Sequence, residues 1–307
     1  MTATTHNPAS RDDWLALRAS DITSTEVSAL FGVSPYTTMF ELWHRKKNNA
    51  VVAIEENERM KWGTRLQDAI AAGIAEDHGW TIRRMDEYMR LPTHRVGSSF
   101  DFMATDKDGA EFLLEVKNVD SLQYKENWLV IDGELEAPVH IELQLQHQML
   151  ISGATAGVIG ALSGGNKATL IRRTADKEIH ALIIRKAAMF WRSIAEGKEP
   201  APEFPADAEV VSRLFGFAEP GKLINMDADA DFANQCAEYV ALGASIKHLT
   251  ETRDSIKARL LMAIGDSEKA LAGRYTVTAG MVAGAHIEYD REPYRAFRVT
   301  AKKEKKA

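Results

Sequence analysis

Asp101, Glu115 and Lys117 are the residues whose types and spacing offer chemistry. Glu115 and Lys117 stand two apart in a run, Glu111–Lys117, that reads as a β-strand, so their side chains leave the same face. Between Asp101 and that pair lies Asp106-Lys107-Asp108-Gly109, a turn sequence. A three-residue loop, Lys107 to Gly109 with Gly109 left-handed, pairs Asp106 with Ala110 and sets Asp101 directly opposite Glu115. A two-residue Asp108-Gly109 loop sets Asp101 opposite Val116 instead, on the other face. In the first register two carboxylates stand roughly 5 Å apart at the Cβ level, beside an ammonium group. Such a pair keeps a proton or takes a cation. Hard oxygen ligands without sulfur suit Mg²⁺ or Mn²⁺. A cation held this way can grip a phosphate oxygen, acidify water and offset the charge that develops in hydrolysis. The plainer alternative is a cross-strand charge patch facing solvent. Phe112-Leu113-Leu114 and Val116 speak for a strand buried on at least one side.

The elements that must position these residues are legible in the surrounding pattern. Strands are expected at Trp80–Arg84, Arg95–Met103, Glu111–Lys117, Ala156–Leu162 and Ala168–Arg173. Helices are expected at Phe40–Lys46, at Glu58–His78 ended by Gly79, at Pro138–Ile151 and at Glu178–Ile194. Thr23-Ser24-Thr25-Glu26 fits a capping box opening a helix that runs to Phe31 and stops at Gly32. Helices around a central mixed sheet make the fold class α/β. Three prolines in Gly197–Ala206 mark a linker, which divides the chain into domains 1–200 and 201–307. Beyond it, Asp229–Ile264 reads as a long helix or helical hairpin, a candidate for partner or subunit contacts. Tyr275–Thr278 and Phe297–Thr300 read as short strands, and the closing KKEKKA as a solvated tail.

On the expected helix at 138–151, His140, Gln144 and Gln148 recur every four residues and form one polar stripe, whereas His147 reads as a surface residue. The composition is that of a folded soluble protein: 307 residues, 45% hydrophobic and 27% charged. A formal charge of −6 gives no global basic signature, although a local basic groove beside carboxylates remains compatible with DNA. One cysteine, Cys236, excludes an internal disulfide and a multi-cysteine zinc site. No apolar run approaches a membrane span and no signal-peptide core opens the chain, so a cytoplasmic location is expected.

Taken in order, several blocks resemble one family. Asp101 with Glu115-Val116-Lys117 resembles the core of the PD-(D/E)XK nuclease superfamily. Trp14-Leu15-Ala16-Leu17-Arg18, Ile22-Thr23-Ser24-Thr25-Glu26-Val27, Gly32-Val33-Ser34-Pro35-Tyr36, Leu42-Trp43, Trp62-Gly63-Thr64-Arg65-Leu66, Ser98-Ser99-Phe100-Asp101 and Gln144-Leu145-Gln146-His147-Gln148-Met149 narrow it. Together they resemble the lambda-exonuclease-like, YqaJ-type viral recombinase family, over about Trp14 to Pro200.

The resemblance implies a restriction-endonuclease-like core with a mainly helical C-terminal extension. It implies a Mg²⁺-dependent exonuclease (Mn²⁺ substituting) that resects duplex DNA ends 5′-to-3′ in phage or prophage recombination inside a bacterial host. A single-strand annealing protein is the implied partner, and a homotrimer the implied assembly. The implied metal ligands are Asp101, Glu115 and the Val116 carbonyl, with Lys117 assisting the attacking water and Gln144 supporting the site. Arg18, Thr25 and Ser99 are implied phosphate contacts, and a helix start at Thr23 suits an anion. Where the family carries a further helical glutamate this chain has Gln67, a poorer ligand for Mg²⁺. Asp68 lies about 100° around the helix and cannot simply replace it. Two alternatives stand beside this reading: an endonuclease on the same fold, and a DNA-end-binding recombination protein with weak catalysis.

Overall fold

The turn at Asp106–Gly109 settles the register. Gly109 has φ 83°, the Asp106 N–H donates to the Ala110 carbonyl at 3.0 Å, and the Asp106 carboxylate accepts from the N–H groups of Asp108 and Ala110. Thr105 pairs with Glu111 and Phe102 with Leu114, so the next position outward sets Asp101 opposite Glu115. The three-residue loop is therefore the one formed.

The computed structural model describes residues 2–49, 57–286, 288, 290 and 294–300; the KKEKKA tail lies outside them. The chain packs as two units, 1–210 and 211–307. The first opens with β1 (Thr4–His6), α1 (Arg11–Ser20), β2 (Ile22–Thr23), a 3-10 turn (Val27–Phe31), α2 (Met39–Lys47) and α3 (Glu58–His78). Next come β3 (Thr81–Arg84), β4 (Tyr88–Leu91), β5 (Val96–Ser98) and the hairpin strands β6 (Phe102–Thr105) and β7 (Glu111–Val119). After them run α4 (Ser121–Asn127), β8 (Leu129–Ile131), β9 (Glu134–Glu136), α5 (Val139–Ser152), β10 (Ala156–Ser163), β11 (Lys167–Thr174) and α6 (Lys177–Ala195). Residues 198–207 form neither helix nor strand, and α7 (Ala208–Leu214) follows.

Five strands form a mixed sheet in the order β11-β10-β7-β6-β3, with β7 and β10 parallel and the other pairs antiparallel. Alternation along β7 sorts its residues between two cores. Phe112, Leu114 and Val116 pack with Ile70, Ala71 and Ile74 of α3. Leu113 packs with Leu145 and Met149 of α5 and Ile183 of α6, and Glu115 and Lys117 share its face. The fold is thus the expected α/β core with helices on both faces.

A second sheet, β1-β4-β5-β2, was not foreseen as separate. The run Arg95–Met103, expected as one strand, breaks at Ser99–Asp101: β5 joins the small sheet and β6 the large one. Local bonds hold the break. The Ser98 hydroxyl lies 3.0 Å from that of Ser24 and 2.6 Å from the Ser99 carbonyl. Gly97 sits where the Tyr88 hydroxyl and the Arg90 guanidinium converge on buried Asp21, and a Cβ there would lie 2.6 Å from Asp21 Oδ2 and overlap the Tyr88 hydroxyl.

The expected helix at 23–31 is also corrected. Ile22–Thr23 is a strand, 24–26 a turn, and only Val27–Phe31 is helical, as a 3-10 helix stopped by left-handed Gly32. Half of the capping box survives, since Glu26 Oε2 accepts from the Thr23 N–H at 3.0 Å.

The second unit holds α8 (Ala230–Ile264), one continuous helix capped by Asp229, and the hairpin β12 (Lys269–Ala272)–β13 (Tyr275–Thr278). Phe297–Thr300 is not a strand. No helix among the described residues is long and apolar enough to cross a membrane.

Candidate active site

Strand β7 presents Glu115 and Lys117 to α5, and α5 answers with amides. Lys117 Nζ donates to Glu115 Oε1 at 2.7 Å and to Gln144 Oε1 at 3.0 Å. Gln144 Nε2 donates to Glu115 Oε1 at 2.5 Å, and Gln148 Nε2 to Glu115 Oε2 at 2.8 Å. Glu115 and both glutamines are buried. The predicted stripe on α5 is therefore real: residues one turn apart grip the two oxygens of one carboxylate. His140, one turn further back, lies edge-on to Tyr36, and burial and then the Lys117 charge hold its pKa below the ordinary range. His147, expected at the surface, is fully buried, because this helix also packs on the Val27–Phe31 turn and on α6, which set Ile22, Glu26 and His180 around its ring.

Asp101 occupies the bend just ahead of β6, opposite Glu115. Its Oδ2 accepts from the Val116 N–H at 2.8 Å, just before β6 begins, where the edge of β7 is not yet paired. Burial, then the Glu115 charge, push the Asp101 carboxyl up to about 7, against the pull of Lys117, the Val116 N–H and a hydrogen bond from the Gln67 amide. Burial opposes a charge on Lys117, yet the Glu115 and Asp101 carboxylates hold its pKa above the ordinary value, so it is an ammonium at neutral pH.

Gln67 thus reaches Asp101 from α3, while its Oε1 lies 3.5 Å from Arg84 Nη2. Asp68 leaves the helix toward Arg84 and solvent. Arg84, which ties these two residues together, was missed because one arginine in a strand carries no motif.

The implied phosphate contacts form a second cluster joined to the first through Trp14. Arg18 stacks over the Trp14 ring, 4.5 Å from its centroid, and points Nη2 at Thr25 Oγ1 and Thr23 Oγ1, at 3.3 and 3.5 Å. The Trp14 indole N–H donates to Ser99 Oγ at 2.8 Å. Ser99 is therefore held from behind, two residues before Asp101. Beneath Arg18, Glu26 takes Arg45 at 3.0 Å and Lys46 at 2.8 Å. Burial alone would raise the Glu26 pKa, but Lys46, Arg45 and Arg18 outweigh it and hold it low. Lys46 is itself buried and also donates to the carbonyls of Arg18 and Asp21.

The donor set fits one hard cation. Two facing carboxylates supply oxygen, and the crowding that raises Asp101 is what a cation relieves. The N–H and C=O of a strand residue point to the same edge, so the Val116 carbonyl shares the side on which its N–H meets Asp101. Among the described residues no group of three or more His, Cys, Asp and Glu side chains gathers as a metal cluster, and Gln67 stands as a neutral amide where a third carboxylate would complete one.

The fold and these side chains define an α/β core bearing a carboxylate–carboxylate–lysine site, and residues 13–155 match the family model of the YqaJ-like viral recombinase domain. The resemblance drawn from the motifs is borne out over that stretch. The uncharacterized protein YqaJ of Bacillus subtilis (strain 168) is 25% identical over 271 residues, covering 87% of this chain and 82% of that protein. LHK-Exo in complex with dAMP superposes with a TM-score of 0.47 at 18% identity, over 61% of this chain and 94% of that one. LHK-Exo, an alkaline exonuclease from Laribacter hongkongensis, gives 0.45 at 17% identity over the same shares.

Proposed function

We propose that this protein is a divalent-metal-dependent DNA exonuclease of recombination, hydrolysing phosphodiesters at duplex ends in the 5′-to-3′ direction. The observation that carries the reading is the Asp101–Glu115 pair facing across the hairpin with Lys117 beside it. In this reading residues 1–200 are the nuclease domain and 201–307 its extension. Asp101, Glu115 and the Val116 carbonyl would hold Mg²⁺, with Mn²⁺ substituting. When bound, the ion supplies Lewis acidity at the phosphate and acidifies water.

The protein's own part is orientation and charge. Glu115 is fixed by Lys117, Gln144 and Gln148, so its carboxylate needs no reorganisation as the reaction proceeds. The Lys117 ammonium orients the attacking water and offsets charge growing on the phosphate. As an ammonium it does not take the water's proton. Gln67 holds Asp101 in place, and Arg18, Thr25 and Ser99 offer donors to a terminal phosphate.

The test uses end-labelled linear duplex and a closed circle, each with Mg²⁺ or with EDTA, for the parent, Asp101→Ala and Glu115→Ala. Expected are loss of nucleotides from the 5′ ends of the linear duplex only, abolished by EDTA and by either substitution. Cleavage of the circle would make the protein an endonuclease. Tight end binding without metal-dependent degradation would leave a DNA-end-binding protein, in keeping with the amide at Gln67.

A further inference from the structure

Helix α8 runs 35 residues, about 50 Å at 1.5 Å per residue, and none of its residues is buried. Yet seven of its ten exposed large apolar side chains fall on a period of seven, with Val240, Leu261 and Met262 off it. Phe232, Tyr239, Ile246 and Leu260 fall in one row of spacing seven, with Arg253 in the remaining place. Leu242, Leu249 and Ile256 repeat the same spacing three residues later, between Gln235 and Ala263. Two rows offset by three and repeating every seven are the a and d seam of a two-stranded coiled coil. A helix resting on a globular core shows a wider stripe with a 3.6 period. The seven apolar seam residues are 45% to 65% exposed. Phe297 meets the edge of the Tyr239 ring, which still stays 53% exposed.

The charges say what covers the seam. Asp229 and Asp231 stand at the start of α8, and Lys257 and Arg259 near its end. We propose that α8 pairs with α8 of a second copy of this chain as an antiparallel coiled coil centred on residue 244. In antiparallel pairs a positions face d positions, and flanking g faces g and e faces e. Centring on residue 244 sets Phe232 on Ile256 of the second copy, Tyr239 on Leu249 and Ile246 on Leu242, each twice by symmetry. Arg253 then meets Gln235, whose amide already donates to Asp231 at 2.7 Å. On the flanks Asp231 meets Arg259, and Asp229 meets Lys257, again at both ends.

The neighbouring registers fail on the same residues. A shift of one heptad in one direction sets Arg253 on Leu242 and Leu260 on Gln235; in the other it sets Ile246 on Gln235. A parallel pair stacks Arg253 on Arg253, and its flanking g and e positions make no pair of opposite charges. The surface is independent of the nuclease site.

The full-length chain is the test object, with circular dichroism confirming that variants keep α8 helical. Sedimentation velocity should show the parent at twice the mass of Ile246→Asp and of Leu242→Asp. Asp231→Arg and Arg259→Asp should each weaken association, and the two together should restore it. In a Cys236→Ser background, Ser245→Cys places the two thiols across the twofold axis, so a short bismaleimide should link two copies. A parallel pair holds those thiols on opposite flanks and gives no link. An unchanged mass for Ile246→Asp, no recovery in the charge swap, or no crosslink would overturn the proposal.

Discussion

Replacing Gln67 with glutamate alters one group at the point where α3 meets the carboxylate pair. In the parent, the Gln67 amide donates to Asp101 and its oxygen faces Arg84. An ionised glutamate cannot donate, so Asp101 loses a hydrogen bond and gains a like charge. Two unit charges about 4 Å apart repel by roughly 4 kcal/mol at an effective dielectric near 20. Arg84 beside position 67 and retention of the Asp101 proton both relieve that repulsion, leaving a cost of about 1–2 kcal/mol without metal. For a unit of this size that is a loss of roughly 2–8 °C in Tm.

The sign with pH follows from Asp101. Its folded-state pKa, about 7, lies above the ordinary carboxylate value, so the folded protein holds the proton more tightly than the unfolded chain. The contribution of Asp101 to stability without metal is therefore greatest at acid pH and declines until Asp101 is ionised. A cation needs the ionised pair. Mg²⁺ affinity in the parent should rise about tenfold per unit of pH up to about 7 and then level. Gln67→Glu should move that rise to higher pH and lift the plateau, because a third anionic oxygen is added. Melting curves at pH 5.5, 7 and 8.5, with EDTA or Mg²⁺, measure both effects. Unchanged melting under every condition, together with loss of cleavage in Asp68→Asn, would show that Asp68 rather than Gln67 serves the site.

Three more outcomes are expected. Lys117→Ala should slow single-turnover cleavage by roughly 10²-fold or more while changing DNA affinity little, measured with Ca²⁺ in place of Mg²⁺; an equal loss in both would reduce Lys117 to a phosphate contact. Burial holds the His147 pKa near 3, so the unfolded chain takes up a proton below about 6.5 that the folded protein refuses. That residue should cost about 2 kcal/mol at pH 5, and urea titrations of His147→Leu should show a shallower acid decline than the parent; parallel declines would refute the assignment. Gly97→Ala should destabilise the first unit by about 1–3 kcal/mol in the same titrations, because its Cβ enters the space of the Tyr88 hydroxyl and Asp21; an unchanged midpoint would mean that the small sheet yields.

The hairpin was legible because its turn is a local device, but Asp108-Gly109 suits a two-residue loop as well as a three-residue one, and only the left-handed Gly109 at the third loop position, with Asp106 paired to Ala110, fixes which residues face each other. The stripe at Gln144 and Gln148 was legible for the same reason, since helix spacing needs no tertiary information. What sequence could not show was set at long range. Arg95–Met103 has unbroken strand character, and its break depends on Ser24 and Trp14, some 75 to 85 residues earlier in the chain. Thr23–Glu26 has the letters of a capping box, but Arg45 and Lys46 draw the Glu26 carboxylate into a buried ion cluster. His147 stands among polar residues yet faces the core, because α5 is enclosed on more than one side. Gln67, Arg18, Thr25 and Ser99 entered through the family resemblance, since no local rule singles them out.

The order in which the site closes is written in the chain separations. Asp101 and Glu115 are joined by a three-residue loop, so their meeting costs little loop-closure entropy. The amides that restrain Glu115 arrive from 29 and 33 residues away, on a helix lying within the crossover from β7 to its parallel neighbour β10. Against the 14 residues that separate Asp101 from Glu115, a loop about twice as long costs roughly 0.6 kcal/mol more to close. On entropy alone, two like charges are brought together before the groups that steady them. Lys117, two residues from Glu115 and on the same strand face, is a cation already beside them at that stage. Its closeness in sequence lets the hairpin form without waiting for α5.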